Sequence, residues 1–332
     1  MSKILITTVP FGDKNRLPLD LLEKANIEYL INPHEKKLTE DQLVNMVSDF
    51  DVIIAGTEPI TEKVMAQARN LKLISRVGIG LDGVDLIAAR KNGIKVSYTP
   101  DAPTPAVAEL TLGMMLTLLR SVHISNFQVH QGKWQRIFGR RLAEVTLGII
   151  GMGRIGKRLL WYMKGFDTLQ ILANDIMPDD ELSREFMLKW VTKEQIYKEA
   201  DIISLHLPLT HLTKNMIRRE QLLSMKSDAM IINTSRGGIV NESDLYDVMM
   251  AGHLSGAAID VFEHEPYVGK LSEIERCLLT AHMGSMSVDC RTRMEIEAVE
   301  EAVRFLTGKP LKGEVPQVEY EIQSQGLYAE SR

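Results

Sequence analysis

Cysteine is scarce in this chain, which carries only Cys277 and Cys290 in 332 residues. So few cysteines argue against a disulfide scaffold and are typical of a reducing compartment. Long apolar runs are missing too: the N-terminal segment, residues 1–12, has an apolar stretch of about six residues, whereas a membrane span needs about 20. Basic charge is not in excess, because 39 Lys+Arg stand against 44 Asp+Glu. These absences exclude a nucleic-acid footprint and predict a soluble, cytoplasmic protein.

Short runs rich in β-branched residues alternate with helical patterns along most of the chain. This alternation predicts an α/β fold with mostly parallel sheets, and the length suits two domains. In the first part we predict five strands, at Lys3–Thr8, Ile27–Ile31, Asp51–Ala55, Lys72–Arg76 and Ile94–Ser97. The helices predicted between them are Thr39–Phe50, Thr61–Ala68 and Val84–Lys91.

A proline-rich stretch, residues 99–105, interrupts this pattern and makes Pro100 a candidate hinge. A long helix is predicted after it, over Pro105–Val122, with Thr104 as N-cap. Six further strands are then predicted, which is the pattern of a doubly wound sheet. They are Val145–Ile150, Leu169–Asn174, Asp201–Leu205, Ala229–Asn233, Gly256–Ile259 and Cys277–Ala281.

The stretch Gly151-Met-Gly153-Arg-Ile-Gly156 follows the first of these six strands and opens a helical pattern. In that context a G-x-G-x-x-G motif predicts a dinucleotide site: Gly151 permits the turn, Gly153 admits the pyrophosphate, and Gly156 allows close helix packing. Arg154 in this loop would add charge against phosphate, or is a surface arginine; Ile155 lies beside it.

Asp175 ends the next strand, 19 positions after Gly156, where it would accept hydrogen bonds from the adenosine ribose. A 2′-phosphate there would meet Asp175, Asp179 and Asp180, with no Lys or Arg in residues 174–181. We therefore predict NAD rather than NADP as the cofactor.

The predicted domains follow from these boundaries. Residues 1–100 and 286–312 form a discontinuous substrate-binding domain, because the amphipathic helix Val288–Thr307 is expected to return to the first unit. Residues 101–285 form the NAD-binding Rossmann domain, and residues 313–332 form a polar C-terminal tail.

Polar residues just past the strands are expected at one edge of a doubly wound sheet. Arg236, followed by two glycines, could clamp a carboxylate or form a structural ion pair. His282 is a candidate acid/base, although a lone histidine is more often structural. Glu265 could hydrogen-bond His282 and favour imidazolium, and spacing does not exclude its neighbours Glu263 and His264. No H-E-x-x-H, C-x-x-C or G-x-S-x-G motif supports zinc or serine-nucleophile chemistry, and no metal is expected.

The chain resembles the D-isomer-specific 2-hydroxyacid dehydrogenases, and most of all the phosphoglycerate dehydrogenase branch. The resemblance is carried by residues 76–85, 151–156, 233–242 and 256–266, with His282-Met-Gly284 following, and it covers roughly residues 1–310. It implies a Rossmann NAD domain and a flavodoxin-like substrate domain completed by the C-terminal helix.

The resemblance also implies roles for individual residues. Arg236 would bind the substrate carboxylate and carbonyl, His282 would donate or accept the proton, and Glu265 would be its partner. Backbone N–H groups of Gly78, Ile79 and Gly80 would hold the substrate carboxylate. The implied cofactor contacts are Arg154, Ile155, Asp175, Leu207, Pro208, Thr234, Ser235, Arg236, Asp260, His282, Gly284 and Ser285, with Asp260 near the nicotinamide carboxamide.

The chain departs from the family pattern in three places. Ala281 stands where proline usually precedes the histidine, Asn241 stands where aspartate is common, and residues 55–60 lack the cation that meets the phosphate in phosphoglycerate enzymes.

The expected function is NAD-dependent hydride transfer at C2 of a small D-2-hydroxy acid, with 3-phosphoglycerate one candidate. The alternatives are a glyoxylate, hydroxypyruvate or sugar-acid reductase, and an NAD-sensing corepressor-like protein. The helix over Pro105–Val122 and the arm through Trp134 resemble the family's twofold interface, which predicts a homodimer.

Overall fold

The computed structural model describes residues 2–166 and 170–324. Its contacts divide the chain into two units, the first comprising Met1–Pro103 and Met286–Arg332 and the second Thr104–Ser285. Each unit contains one sheet in which every strand pair is parallel.

The first unit is built on a five-stranded sheet in the order β2-β1-β3-β4-β5. This is the flavodoxin-like order of a doubly wound sheet, and it confirms the fold class predicted for this part. The strands are β1 (Lys3–Ile6), β2 (Glu28–Ile31), β3 (Val52–Ala55), β4 (Leu73–Arg76) and β5 (Lys95–Ser97). Strands β3 and β4 are buried at every residue, as expected for parallel strands covered on both faces.

The helices of the first unit come from both ends of the chain: α1 (Leu17–Lys24), α2 (Glu40–Met46), α3 (Glu62–Gln67), α4 (Leu86–Lys91), α12 (Val288–Leu306) and α13 (Gln317–Ser324). Helix α1 was not predicted. Helix α12 packs on α1 and β4, and the Ser75 hydroxyl donates to the Ala298 carbonyl at 2.8 Å.

Part of the segment predicted as a polar tail, residues 313–324, packs in the first unit and contains helix α13. Val315 and Tyr320 are buried in the core of the first unit. Gln323 on α13 accepts from the Leu86 N–H at 2.5 Å and donates to the Val84 carbonyl at 2.9 Å. Burial of Tyr320 and the hydrogen bonds of Gln323 hold this short helix despite its polar composition. Residues 325–332 of the predicted tail lie outside the described residues.

The second unit contains a seven-stranded sheet in the order β12-β11-β10-β9-β6-β7-β8. The strands are β6 (Thr146–Ile150), β7 (Gln170–Asn174), β8 (Lys189–Trp190), β9 (Ile202–Leu205), β10 (Met230–Asn233), β11 (Gly256–Ile259) and β12 (Cys277–Leu279). Six of them were predicted. The seventh, β8, has two residues and is too short to produce a periodic pattern. Leu169, the first residue of one predicted strand, lies outside the described residues.

The helices of the second unit are α5 (Pro103–Leu119), α6 (Val122–His130), α7 (Arg154–Tyr162), α8 (Asp180–Phe186), α9 (Lys193–Glu199), α10 (Arg219–Ser224) and α11 (Glu242–Met250). Helix α5 begins two residues earlier than predicted, so Thr104 lies inside it and is not its N-cap. Proline is tolerated in the first turn because its missing N–H would have no partner there. Ser121, at φ +49°, then separates α5 from α6.

No single helix within residues 2–166 or 170–324 combines the length and hydropathy needed to cross a membrane. Helices α5 and α6, which meet at a bend of 66°, pass that length and composition test only as a pair.

Candidate active site

Three loops follow the adjacent strands β10, β11 and β12, and backbone hydrogen bonds tie them together in order. The Asp260 N–H donates to the Asn233 carbonyl at 3.0 Å, and the His282 N–H donates to the Asp260 carbonyl at 2.8 Å. The segments that carry Arg236, Glu265 and His282 are therefore assembled at the carboxyl edge of this sheet, the edge where its parallel strands end.

A glycine next to Arg236 allows two of these loops to touch. A Cβ on Gly237 would lie 2.0 Å from the carbonyl group of Phe262, a distance that no side chain can occupy. Arg236 itself is half-buried, and its Nη1 donates to the Ser235 carbonyl at 2.7 Å. The Asn233 side chain donates to the Arg236 carbonyl at 2.8 Å and so closes the turn. The guanidinium is thus held on a short, braced loop.

His282 and Glu265 form a hydrogen-bonded pair. The Nδ1 atom of His282 lies 2.9 Å from Glu265 Oε2 and 3.2 Å from Oε1. Glu265 is held in turn by the Phe262 N–H, which donates to Oε1 at 3.1 Å. Since the carboxylate acts as acceptor, the proton is assigned to Nδ1, and Nε2 is the ring atom left to face a substrate.

The same region resolves the alternatives that spacing left open. Glu263 and His264 are exposed, and the Glu263 N–H donates to Glu242 at 2.7 Å. The histidine pairs with Glu265, not with Glu263. His282 also adopts φ +51°, a left-handed conformation that is uncommon outside glycine and that clusters at functional sites.

Asp260 is the anchor of the histidine loop. It is fully buried, and its Oδ1 accepts from the Met283 N–H at 2.7 Å and from the Thr280 hydroxyl. Its Oδ2 accepts from the Gly284 N–H at 2.9 Å. A buried carboxylate with both oxygens satisfied is a rigid support. Sequence reasoning assigned Asp260 to the cofactor alone and missed this bracing of the loop, because spacing carries no signal for it.

The glycine-rich loop between β6 and α7 has the geometry of a phosphate cradle. Gly151 adopts φ +98°, and a Cβ on it would lie 2.3 Å from the His206 carbonyl. A Cβ on Gly156 would lie 2.2 Å from the Gly151 carbonyl, whereas one on Gly153 would meet nothing within 4 Å. Helix α7 begins after Gly153 with no side-chain cap. Its first N–H groups therefore face an open approach, which fits a pyrophosphate.

Asp175 lies at the end of β7 beside this loop, with its carboxylate fixed by backbone. Its Oδ2 accepts from the Met152 N–H at 2.6 Å, and its Oδ1 accepts from the Met177 N–H at 2.9 Å. A cavity of about 500 Å³ opens next to it, lined by residues that include Pro178 and Val191. Lys157, which the sequence did not predict in this region, forms an ion pair with Asp179 at 3.1 Å.

Other predicted cofactor residues lie at the same carboxyl edge. Leu207 and Pro208 follow β9. The Thr234 hydroxyl lies 2.8 Å from that of Thr111, and the Ser235 hydroxyl donates to Asn233 Oδ1 at 2.8 Å. Gly284 and Ser285 continue the loop that carries His282.

His206 had no role in the sequence analysis, yet it lies directly under the glycine-rich loop. Its Nε2 is 2.9 Å from the Ser204 hydroxyl, and its Nδ1 is buried without a hydrogen-bond partner among the described residues. Burial lowers the pKa of His206 to about 4, so the ring is neutral at pH 7.

Gly78, Ile79 and Gly80 follow β4 in the first unit. The Gly78 N–H donates to the Thr99 hydroxyl at 2.8 Å, so it is engaged within the unit. Within the described residues, the N–H groups of Ile79 and Gly80 have no such partner. The carboxylate-binding role expected of these three residues stays a prediction, and Ile79 and Gly80 are the two whose N–H groups are not engaged within the described residues.

Comparison with known proteins identifies the class. Residues 112–284 match the model of the D-isomer specific 2-hydroxyacid dehydrogenase NAD binding domain. The chain is 34% identical over 299 residues to the hydroxypyruvate reductase of Thermotoga maritima, an alignment that covers 86% of this chain and 96% of that one. It therefore belongs to the D-isomer specific 2-hydroxyacid dehydrogenase family, and it is an NAD-dependent D-2-hydroxyacid dehydrogenase.

Two further relatives show the extent of the similarity. The D-3-phosphoglycerate dehydrogenase of Methanocaldococcus jannaschii is 35% identical over 93% of this chain, but this chain spans only 58% of that protein's length. The crystal structure of the TT0316 protein of Thermus thermophilus superposes with a TM-score of 0.86 at 32% identity, covering 95% of this chain and 100% of the other.

Proposed function

We propose that the enzyme transfers a hydride between nicotinamide and C2 of a small D-2-hydroxy acid, using Arg236, Glu265 and His282. The observation that carries this proposal is the 2.9 Å pair between His282 and Glu265 on loops tied to the one that bears Arg236. A cation, an acid/base group and its partner are what oxidation of a hydroxy acid requires.

In this proposal, bound NAD supplies the nicotinamide C4 that accepts the hydride in oxidation and donates it, as NADH, in reduction. During oxidation, His282 Nε2 takes the proton of the C2 hydroxyl group. The Glu265 carboxylate stabilises the resulting imidazolium through Nδ1. The Arg236 guanidinium stabilises the negative charge that develops on the C2 oxygen. During reduction, protonated His282 returns its proton to the same oxygen.

Binding of the reactants is assigned to backbone groups as well as to side chains. We propose that Ile79 and Gly80 bind the substrate carboxylate through their N–H groups. The proposed NAD-binding residues are Gly151, Gly153, Arg154, Ile155, Gly156, Asp175, Leu207, Pro208, Thr234, Ser235, Asp260, Gly284 and Ser285. Residues 1–103 with 286–324 then act as the substrate-binding part of the enzyme.

The candidate substrates differ in the group attached to C2. The relatives include hydroxypyruvate and glyoxylate reductases and D-3-phosphoglycerate dehydrogenases. The test is steady-state reduction of glyoxylate, hydroxypyruvate and phosphohydroxypyruvate with NADH. We expect turnover of at least one, lost in His282→Ala. Full turnover by His282→Ala would contradict the proposed chemistry.

We also propose that the enzyme is a homodimer through α5, α6 and the arm that follows. This region exposes Phe127, Val129, Trp134 and Phe138, with Trp134 84% exposed. Several exposed apolar side chains close together along the chain favour a protein interface. Light scattering coupled to size exclusion tests this assignment, and a monomer at micromolar concentration would contradict it.

A further inference from the structure

The loops that follow β3 and β4 in the first unit are joined along their length. The Val77 N–H donates to the Ala55 carbonyl at 2.9 Å, and the Ile60 N–H donates to the Gly83 carbonyl at 2.7 Å. A Cβ on Gly83 would lie 2.9 Å from the carbonyl oxygen of Glu58. Glu58 is therefore a direct neighbour of the segment that contains Ile79 and Gly80.

The side chain of Glu58 is buried, with 2% of the residue exposed. Its Oε1 accepts from the Gly56 N–H at 3.0 Å and from the Thr7 hydroxyl. Among the described residues, no hydrogen bond reaches Oε2 and no cation lies within ion-pair distance of this carboxylate. Oε2 is not among the fully enclosed side-chain atoms, although most of the residue is buried. A carboxylate oxygen that keeps some exposure and has no protein donor is available to accept from a ligand.

The backbone is shaped around this carboxylate. A Cβ on Gly56 would lie 2.8 Å from Glu58 Oε2 and 3.0 Å from Thr8 Cβ, so a larger residue at position 56 would force the carboxylate to shift. The Thr8 hydroxyl, on the other side, accepts from Arg291 Nη2 at 2.9 Å.

The nearby cation is committed to other partners and does not neutralise Glu58. Arg291 donates to Glu295 at 2.7 Å and to the Pro10 carbonyl at 2.7 Å, in addition to Thr8. The loop that follows β3 thus presents a negatively charged hydrogen-bond acceptor, whereas a phosphate-binding loop would present a cation.

We propose that Glu58 is a specificity residue for the group attached to C2. Its Oε2 accepts a hydrogen bond from a hydroxyl of that group, and its charge disfavours a phosphate ester in the same place. This inference rests on the proposed function and narrows its substrate class to hydroxylated, unphosphorylated acids. A carboxylate and a phosphate brought together in a desolvated site repel each other, so such a site discriminates strongly against the phosphorylated substrate.

The experiment compares kcat/KM for three keto acids in the wild-type enzyme and in Glu58→Gln. Glyoxylate has no group beyond C2, hydroxypyruvate carries a hydroxyl, and phosphohydroxypyruvate carries a phosphate. We expect the wild type to prefer hydroxypyruvate over phosphohydroxypyruvate by about tenfold or more. In Glu58→Gln that preference should fall by about tenfold, mostly through KM, while glyoxylate reduction stays close to wild type.

Glu58→Asp is the matched variant, because it keeps the charge and should keep the discrimination against phosphate. Glu62→Gln changes an exposed residue at the start of α3 and controls for a general change of charge. A wild-type preference for phosphohydroxypyruvate would overturn the inference. An equal effect of Glu58→Gln on all three substrates would overturn it too, because it would indicate a purely structural role. Absence of turnover on all three would contradict the proposed function itself, and the inference would fall with it.

Discussion

The carboxyl edges of the two sheets differ in the chemical groups that they present. In the second unit, charged side chains dominate: Arg236, Glu265 and His282 stand on loops that backbone hydrogen bonds tie together, with Asp260 as anchor. In the first unit, the corresponding edge carries backbone N–H groups and threonine hydroxyls together with two buried charged side chains, Arg76 and Glu58.

This difference suggests a division of labour. The side chains that we propose to move protons and stabilise charge lie in the unit that carries the dinucleotide loop. The groups that we propose to recognise the substrate lie in the other unit. Substitutions in the second unit should therefore reduce turnover of every substrate, whereas those in the first should change the ranking of substrates.

The largest effect is expected for His282→Ala. Removal of the acid/base group should lower kcat for every keto acid by about 10²–10⁴-fold. His264→Ala removes an exposed histidine of the same region and should leave kcat nearly unchanged. Steady-state assays with NADH check both variants. A loss below about tenfold in His282→Ala would be incompatible with general acid–base catalysis by this residue.

Arg236→Gln should follow, with kcat/KM about 10²–10³-fold lower, because one positioned donor to the developing oxyanion is lost. Arg236→Lys keeps the charge but not the planar fork, so it should recover part of the activity. The two variants are compared with one keto acid over its full concentration range. Equal kcat/KM for Arg236→Gln and the wild type would contradict the proposal that charged side chains of the second unit carry out the chemistry.

A smaller effect is expected on cofactor choice in Asp175→Ser. Two backbone N–H groups hold the Asp175 carboxylate in place, so it cannot turn away from a 2′-phosphate. The ratio of catalytic efficiencies with NADH and NADPH should therefore fall by about tenfold or more in the variant. Asp180→Asn, at the exposed start of α8, should change the ratio less. A wild-type enzyme that uses NADPH as well as NADH would refute this role.

The smallest effect concerns stability at low pH. Burial lowers the pKa of His206 to about 4 in the folded protein, whereas the value in the unfolded chain is about 6.5. As the pH falls below about 6.5, the unfolded chain therefore binds a proton that the folded protein does not bind. The stability contributed by neutral His206 is present at pH 7 and is lost as the pH falls toward 4. Between pH 7 and pH 5 the loss should be about 2 kcal/mol, and it should disappear in His206→Asn. Urea unfolding at both pH values measures it, and an equal pH dependence in the two proteins would contradict the assignment.

Much of the fold could be predicted because parallel strands buried on both faces leave short apolar runs. Helix α13 could not, since its polar composition hides the burial of Tyr320. Strand β8 could not either, because two residues carry no period. The start of α5 was misplaced because the proline-rich stretch favoured a loop up to Pro105.

For the candidate site, strand-end positions singled out Arg236, His282 and Asp175, which the structure places at one carboxyl edge. The choice of Glu265 over Glu263 required the resemblance to the family, and the structure pairs Glu265 with His282. The anchoring by Asp260, the engaged N–H of Gly78 and the burial of Glu58 depend on contacts between distant residues. Local sequence patterns hold no information on such contacts.

The central claim is that Glu265 acts through the imidazole of His282, and Glu265→Gln tests it most directly. The variant keeps the side chain's size but not its charge, so keto-acid reduction should slow because the imidazolium loses its charged partner. Glu263→Gln, two residues away and exposed, should reduce keto acids at the wild-type rate. If Glu265→Gln retains the wild-type rate, the pair is not the proton-transfer unit of this enzyme.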